Sequence, residues 1–418
     1  MINLTKLWTG VAQPADSLRY GHASGHPSAH GGGHGASCMP AAARTRKPIT
    51  VWNITRTCNL RCVHCYSDSN AMQYPGELSW EQMQDVVEDL AHYEVPSLLL
   101  SGGEPMIHPR FFDLVDLATA AGLKLTISTN GTLITPEKAE LLKAANVAYV
   151  GISLDGIGKI HDEFRRKEGA FDAAVRGFRN CHAAGQKTGL RLTLTRHNVE
   201  NIDRILDFIE DKEIQRVCFY HLVPAGRGSE LQVLAPGEAR GAIDTLIARV
   251  EAWHRQGIDR ELLTVTQPAD GAYLLVRMEN ENHPNLAEAR RLLSWNGGGA
   301  NSSGRGIANI DTQGNVHPDQ FWQDVILGNV KQMPFSEIWE GHNPASAGTL
   351  ESIRSIGLLT QEERQARMSG PCADCKWFSI CGGGFRTRAA FCNDGDLWGS
   401  DPGCYLREEE RQGACAVA

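Results

Sequence analysis

From Ile49 onward the chain alternates short apolar runs with amphipathic segments of helical period. The apolar runs, each of strand length, fall at 49–55, 97–101, 123–128, 148–154, 190–195 and 216–222. Between and after them, apolar residues recur at helical spacing over 79–94, 109–121, 135–146, 170–185, 198–211 and 236–256. Helix starts are written locally as well. Ser79 stands three residues before Gln82 at capping-box spacing, and Thr135-Pro136 precedes Glu137. Six β/α units predict an α/β fold, a curved parallel sheet with its helices outside. Six fall short of a closed eight-unit barrel, so the expectation is an open, partial (β/α)6 barrel over residues 46–265.

Outside that stretch the pattern fades. In residues 1–45, His22, His26, His30 and His34 recur every four positions among Gly, Ser and Ala. A helix would align them, but Pro27 and Gly31-Gly32-Gly33 oppose one. The segment is therefore read as a flexible His/Gly-rich lead-in, with Cys38 incidental. Residues 266–300 read as a polar linker running into the glycine-rich 295–304. Residues 301–410 read as a small second domain, opening with a β-hairpin at 307–311 and 314–317, followed by Gly328-Asn329-Val330 and a helix at 334–339. Residues 411–418 are a tail.

Composition narrows the class. A chain of 418 residues suffices for two or three domains, and 42% apolar with 22% charged residues is ordinary for a globular protein. A net charge of −8 argues against broad nucleic-acid affinity, which needs basic stripes. No charged n-region with an apolar run follows Met1, and no stretch approaches the roughly 18 apolar residues of a membrane span. The expectation is a cytoplasmic protein without membrane or nucleic-acid partners, whose twelve cysteines stay reduced and available to metal.

Chemistry enters at Thr57-Cys58-Asn59-Leu60-Arg61-Cys62-Val63-His64-Cys65-Tyr66, directly after the first apolar run. Cys58, Cys62 and Cys65 form a C-x3-C-x2-C array. An iron–sulfur cube ligated wholly by protein takes four thiolates. Three leave one iron bare, and an open coordination position marks a catalytic metal site rather than a structural one. A disulfide is a poorer reading, because three clustered cysteines cannot pair off. A zinc site would recruit His64, but His64 adjoins Cys65, and neighbouring side chains rarely reach one tetrahedral ion together. The spacing, with Tyr66 behind it, resembles the cluster motif of the radical S-adenosylmethionine (SAM) enzymes. The resemblance implies a [4Fe-4S] cluster on the three cysteines, its free iron chelated by the amino and carboxylate groups of SAM.

In such folds function sits on loops leaving the C-terminal ends of strands. The second strand leads into Ser101-Gly102-Gly103-Glu104-Pro105. Two glycines let backbone approach a ligand closely, and their carbonyls can accept hydrogen bonds from an ammonium. The segment is similar to the family's glycine-glycine-glutamate-proline motif, which implies that Gly102, Gly103 and Glu104 hold the methionyl amine of SAM. The next strands end in Ser128-Thr129-Asn130-Gly131 and Ser153-Leu154-Asp155-Gly156. Their hydroxyl, amide and carboxylate groups suit a ribose and the polar end of SAM, while Asn-Gly and Asp-Gly are also plain turn sequences. Arg165 is a candidate for the SAM carboxylate, which a guanidinium matches in bidentate fashion. The resemblance adds Tyr66, Ser128, Asn130, Ser153, Asp155 and Arg165 on the cofactor side. Arg191, Arg196, His221, Arg227 and Arg305 are candidates for an anionic substrate, none of them singled out.

Cys372, Cys375, Cys381 and Cys404 form C-x2-C-x5-C-x22-C. Four thiolates can fully ligate a second cluster or a zinc ion, and spacing does not separate the two. The arrangement resembles the auxiliary-cluster site of the SPASM extensions of radical SAM enzymes, which implies a second [4Fe-4S] cluster. The family's further cluster uses cysteines that are missing here: Asp319 and Phe385 stand at two of their positions, and none occurs near Asn301. A truncated, twitch-like extension with one auxiliary cluster is therefore expected, with Cys392 as a possible substitute for Cys404.

The segments Ala308-Asn309-Ile310-Asp311, Asn315-Val316-His317-Pro318-Asp319-Gln320-Phe321-Trp322 and Cys372-Ala373-Asp374-Cys375-Lys376-Trp377-Phe378 resemble the radical SAM enzymes of heme d1 biosynthesis. That resemblance implies a tetrapyrrole substrate, 12,18-didecarboxysiroheme, losing two propionate side chains and gaining oxo groups. It also implies a 5′-deoxyadenosyl radical and a low-potential electron donor such as ferredoxin or flavodoxin. His317 beside Asp319 is a candidate proton-transfer pair or iron ligand, or a structural histidine of the hairpin. Related enzymes decarboxylate heme precursors or modify peptides; a peptide substrate usually comes with a folded N-terminal recognition domain, for which the lead-in is too glycine-rich. A non-catalytic iron–sulfur electron carrier would need no SAM pocket.

Overall fold

The computed structural model describes residues 1–13, 16–20, 47–231, 233–295 and 302–412. Its eleven strands are β1 (Ile2–Asn3), β2 (Ile49–Asn53), β3 (Leu98–Ser101), β4 (Leu125–Thr129), β5 (Tyr149–Ser153), β6 (Thr188–Leu194), β7 (Arg216–His221), β8 (Glu261–Val265), β9 (Ile307–Ile310), β10 (Asn315–His317) and β11 (Gly328–Asn329). They form one open sheet in the order β1-β8-β7-β6-β5-β4-β3-β2-β9-β10-β11. Strands β2 to β8 are parallel neighbours throughout. The expected units are all present, with helices Trp80–His92, Phe111–Ala120, Pro136–Ala144, Ala170–Ala183, Ile202–Asp211 and Pro236–Arg255. Both caps form: Ser79 and Gln82 exchange hydrogen bonds of 2.9 and 3.3 Å, and Thr135 accepts from Lys138 N at 3.3 Å. Each satisfies amide groups that a helix start leaves bare.

Three parts of the domain division need correction. The lead-in is not flexible as far as Tyr20. Ile2–Asn3 pairs antiparallel with β8, and helix Leu4–Thr9 buries Leu4, Leu7 and Trp8. Arg19 meets Glu261 at 2.7 Å, and Asn3 N donates to Tyr20 Oη at 3.0 Å. A two-residue strand leaves no alternation to read, so it is invisible without its partner. His22, His26, His30, His34 and Cys38 lie outside the described residues. Residues 266–300 are not a linker either. Helix Ala269–Asn280 buries almost every residue from Ala269 to Met278, and helix Leu286–Trp295 follows it. A helix buried on all sides shows no amphipathic stripe, which is why the pattern missed it. Thirdly, the stretch 46–265 keeps its bounds but ends in a strand the pattern did not mark, β8, a seventh parallel strand after the six units.

The C-terminal domain is joined to the barrel through the sheet itself. The expected hairpin is β9–β10, but β9 also pairs parallel with β2, from Ile49↔Ile307 to Trp52↔Ile310. β2 is the strand that delivers the first cysteine array. Arg388, 1% exposed, forms a second joint. It grips Asp401 with two bonds of 2.7 Å and donates to Thr266 O at 3.1 Å, at the end of β8.

Candidate functional site

The loop after β2 is held by four neighbours before any ligand is considered. Gly103 N donates to Thr55 O at 2.7 Å, and Glu104 N to Thr57 O at 2.9 Å. A methyl group on Gly103 would sit 2.3 Å from Thr57 O, and one on Gly102 would sit 2.3 Å from Thr55 O. The glycines thus let the second strand-end loop dock on the backbone of the cysteine loop, a closer approach than any side chain permits. From the other side, Gly226, with φ +52°, brings the loop after β7 against Cys65 O and Tyr66 O. Arg227 then clasps the loop, donating to Cys62 O at 3.0 Å, Ser69 O at 2.8 Å and Asp68 at 2.5 Å. Helix Lys159–Arg165 closes the ring, with Val63 N donating to Phe164 O at 3.0 Å.

Each of the three sulfurs is met by donors. Leu60 N and Asn130 Nδ2 point at Cys58 Sγ at 3.4 and 3.9 Å, Arg165 Nη1 at Cys62 Sγ at 3.4 Å, and Ser69 N at Cys65 Sγ at 3.4 Å. Burial pushes the Cys58 thiol up to about 12 and raises that of Cys62 as well. Donors aimed at sulfur favour the thiolate, whereas burial without a cation favours the thiol. A bound metal resolves the conflict, because a coordinated thiol is deprotonated outright. Hydrogen bonds to ligating sulfurs are also one of the levers that set a cluster's potential.

The strand ends frame a cavity of about 120 Å³ beside these cysteines. Tyr66, Ser128, Ser153, Asp155 and Arg165 all line it, with His64, Arg191, Tyr220, His221 and Phe321. Their roles differ from the sequence expectation in three places. Glu104 does not reach into the cavity: fully buried, its carboxylate accepts from Thr129 Oγ1 at 2.7 Å, Asn130 N at 2.8 Å and Met106 N at 3.2 Å. It ties two strand-end loops together, and burial raises its pKa. Asn130 turns its side-chain amide to Asn59, at 2.8 Å, and so steadies the cysteine loop. Arg165 is already engaged in a buried ion pair with Asp155. Burial alone would raise the Asp155 pKa, but Arg165, with smaller contributions from His64, His161 and the Thr193 amide, holds the carboxyl below its ordinary value.

Of the five candidates for an anionic substrate, Arg191 and His221 face the cavity. Arg227 serves the cysteine loop, Arg196 pairs with Glu238 at 3.2 Å on the exposed side, and Arg305 is not part of the wall. His221 Nε2 bonds Asp270 Oδ2 at 3.1 Å, and Asp270 Oδ1 accepts from Tyr405 Oη at 2.7 Å. Nothing in the local pattern marked Asp270, which lies in the segment read as linker, or Tyr405, which follows Cys404 in the second domain. His64, weighed above only as a zinc ligand, lines the cavity as well; its buried Nδ1 has no partner and burial lowers its pKa to about 4, so the ring is neutral at pH 7.

In the C-terminal domain the Cys381 thiol is raised first by burial and then by the charges of Cys372, Cys375 and Cys404. Cys404 shares that neighbourhood, whereas Cys392 is exposed and its charged neighbours are Arg388 and Asp401. Among the described residues, no three His, Cys, Asp or Glu side chains converge as ligands of a single ion would. Asp319 accepts from Ser303, from Thr387 Oγ1 at 2.7 Å, and from Phe321 N and Trp322 N at 2.7 and 3.1 Å. Phe385 packs edge-on against Phe321, 6.2 Å between centroids, and Phe321 against Tyr66 at 5.3 Å. His317 is the structural histidine, bonded to Val325 O at 2.9 Å and facing Asp311, not Asp319.

This arrangement is shared with known proteins. A radical SAM superfamily model matches residues 52–209, and an iron–sulfur cluster-binding (SPASM) domain model matches residues 302–376. The chain is 42% identical over 412 residues, 98% of each protein, to Fe-coproporphyrin III synthase of Methanosarcina barkeri. It is 40% identical over 379 residues, 89% of each, to pre-heme d1 synthase of Dinoroseobacter shibae. The chain belongs to the SPASM-bearing radical SAM enzymes. Among solved structures, Streptococcus suis SuiB bound to S-adenosylmethionine covers 86% of this chain and 77% of its own at TM-score 0.65 and 16% identity, a likeness of fold.

As a radical SAM enzyme the protein uses SAM and [4Fe-4S] chemistry. The residues fit: two buried sulfurs and one half-buried, with donors on each, beside a cavity walled by hydroxyls, a carboxylate and guanidinium groups. The Gly-Gly turn is the most sensitive point of this frame. A Gly103→Ala substitution is expected to cost about 1–3 kcal/mol of local packing and to lower iron loading at the first site. Iron per chain, measured against the wild type after anaerobic reconstitution, checks this; full loading would refute it.

Proposed function

We propose that this radical SAM enzyme remodels the side chains of an iron tetrapyrrole. The observation that carries the reading is 42% and 40% identity along most of the chain to enzymes named for an iron porphyrin and for a heme d1 precursor. In its finer form, the substrate is 12,18-didecarboxysiroheme, which loses two propionate side chains and gains oxo groups on the ring. Cys58, Cys62 and Cys65 would hold the SAM-chelating cluster, and Cys372, Cys375, Cys381 and Cys404 one auxiliary cluster. A single auxiliary cluster is supported by Asp319 and Phe385, which are committed to hydrogen bonds and aromatic packing. When bound, cluster and SAM together supply a 5′-deoxyadenosyl radical, with electrons from a ferredoxin or flavodoxin.

The protein's own share is placement and exclusion. Ser128, Ser153 and the Asp155–Arg165 pair would orient SAM from the cavity wall, and Tyr66 is fixed there by Asn53 at 3.1 Å. His221 presents a ring whose tautomer Asp270 sets: Nε2–H donates, leaving Nδ1 free to accept a proton. A second reading, formation of Fe-coproporphyrin III, is favoured by the 42% relative. Mass spectrometry of the product from 12,18-didecarboxysiroheme separates them. The expected product carries two oxo groups in place of two propionates; Fe-coproporphyrin III instead would select the second reading, and unchanged substrate would reject both.

A further inference from the structure

Two guanidinium groups line the cavity, and they are not alike. Arg165 is neutralised by Asp155 and bonded to Cys62 Sγ, so it belongs to the cysteine loop. Arg191 has no such partner. Among the described residues no carboxylate lies within ion-pair distance of it, and its one hydrogen bond runs to Tyr220 Oη, over whose ring it also sits at 5.0 Å. Of the buried arginines, Arg19 is paired with Glu261 and Arg388 with Asp401, and Arg386 bonds backbone carbonyls of Gly383, Leu397 and Gly399; Arg260 and Arg364 have only a backbone carbonyl each, of Glu210 and Cys375, and neither lines the cavity. A buried charge is costly unless it is paired and hydrogen-bonded. A guanidinium offers five donors; here most are unused, and none is sealed off in the core.

The site around it is selective in a readable way. Arg191 and Tyr220 line both this cavity and the wider space of about 1850 Å³ at the other end of the sheet, so they form the polar part of the floor between the two. Above that floor the walls include Val51, Leu99, Leu192, Leu222 and Phe321. A chamber that mixes these apolar side chains with hydroxyl groups, and whose one guanidinium without a carboxylate partner lies at its base, suits a ligand that ends in a carboxylate, held in bidentate fashion. We propose that Arg191, steadied by Tyr220, anchors a side-chain carboxylate of the substrate and so sets how deep the substrate enters. The proposal rests on the tetrapyrrole reading, whose substrates carry such side chains. It gives Arg191 to the substrate rather than to SAM because its hydrogen bond runs to Tyr220, whereas the donors to the Cys58, Cys62 and Cys65 sulfurs are Leu60, Asn130, Arg165 and Ser69.

The test is equilibrium binding to the full-length, cluster-loaded protein, with Fe-coproporphyrin III and its fully methylated ester as probes. Arg191→Met is expected to weaken the acid by about tenfold or more and to leave the ester unchanged. Arg191→Lys, which keeps the charge and loses the fork, falls between. Affinity for SAM alone stays at the wild-type value. Iron content and melting temperature establish that each variant is folded; if Arg191→Met is not, Arg191→Lys and Tyr220→Phe carry the same acid-against-ester comparison. Equal binding of the acid by variant and wild type overturns the anchor while leaving the tetrapyrrole reading intact. A loss confined to SAM overturns it in favour of the cofactor. A wild type that binds neither probe overturns the tetrapyrrole reading itself.

Discussion

Replacing Cys58, Cys62 and Cys65 together by alanine abolishes SAM cleavage and removes about half of the roughly eight irons expected for two four-iron clusters. The two halves of that result have separate causes. Among the described residues, Cys58 and Cys62 form a small buried cluster with Leu60 and Ala170, against which the half-buried Cys65 packs, apart from the C-terminal set. Without them the donors at Leu60, Ser69 and Arg165 have no sulfur to meet. The C-terminal cysteines sit in a frame of their own, with Arg364 donating to Cys375 O at 3.1 Å and Cys372 N to Ser400 Oγ at 3.2 Å. Their iron should survive. Iron analysis and chromatography of SAM products read both effects, and retained cleavage in the triple variant would end the catalytic assignment.

The second large effect is expected at Arg388→Met. The Arg388–Asp401 pair is nearly unexposed, and Asp401 also accepts from Phe385 N at 2.7 Å and Gly403 N at 2.9 Å, one residue before Cys404. Removing one partner of a buried pair strands the other, at about 3–5 kcal/mol. Burial by itself would raise the Asp401 pKa, but Arg388 prevails and holds it below 3.8. A carboxylate depressed in this way contributes its stability above the ordinary value and loses it only as pH falls through the folded one. The loss in the variant is therefore expected across the neutral range. A lower melting temperature together with loss of the C-terminal iron is predicted. Asp401→Leu added to Arg388→Met should recover part of the stability, because it removes the orphaned charge. Unchanged melting in Arg388→Met would show that the joint is not structural.

What the sequence made legible was what depends on local pattern. Strand runs, helix caps and cysteine spacing are each written within about a dozen residues, and each appears in the fold. What it hid depends on distant partners. Ile2–Asn3 is a strand only because β8 lies beside it, and helix Ala269–Asn280 lacks a polar face because the C-terminal domain covers it. The same holds within the site. Gly102 and Gly103 looked like a place for a ligand to come close, and what comes close is the backbone of Thr55 and Thr57. Glu104, Asn130 and Arg227 carry polar groups suited to a ligand but spend them on the loops of the chain itself. Residue type told what each could bind; only the third dimension told what had already claimed it.

The pairing of β9 with β2 has one more consequence. Four residues on each side lie in register, so the strand that feeds the first cysteine loop and the strand that opens the C-terminal domain share a single pleated layer. Any slip of β9 along β2 would break this register, so the ladder ties the first strand of the C-terminal domain to the strand that carries Cys58, Cys62 and Cys65 at its end.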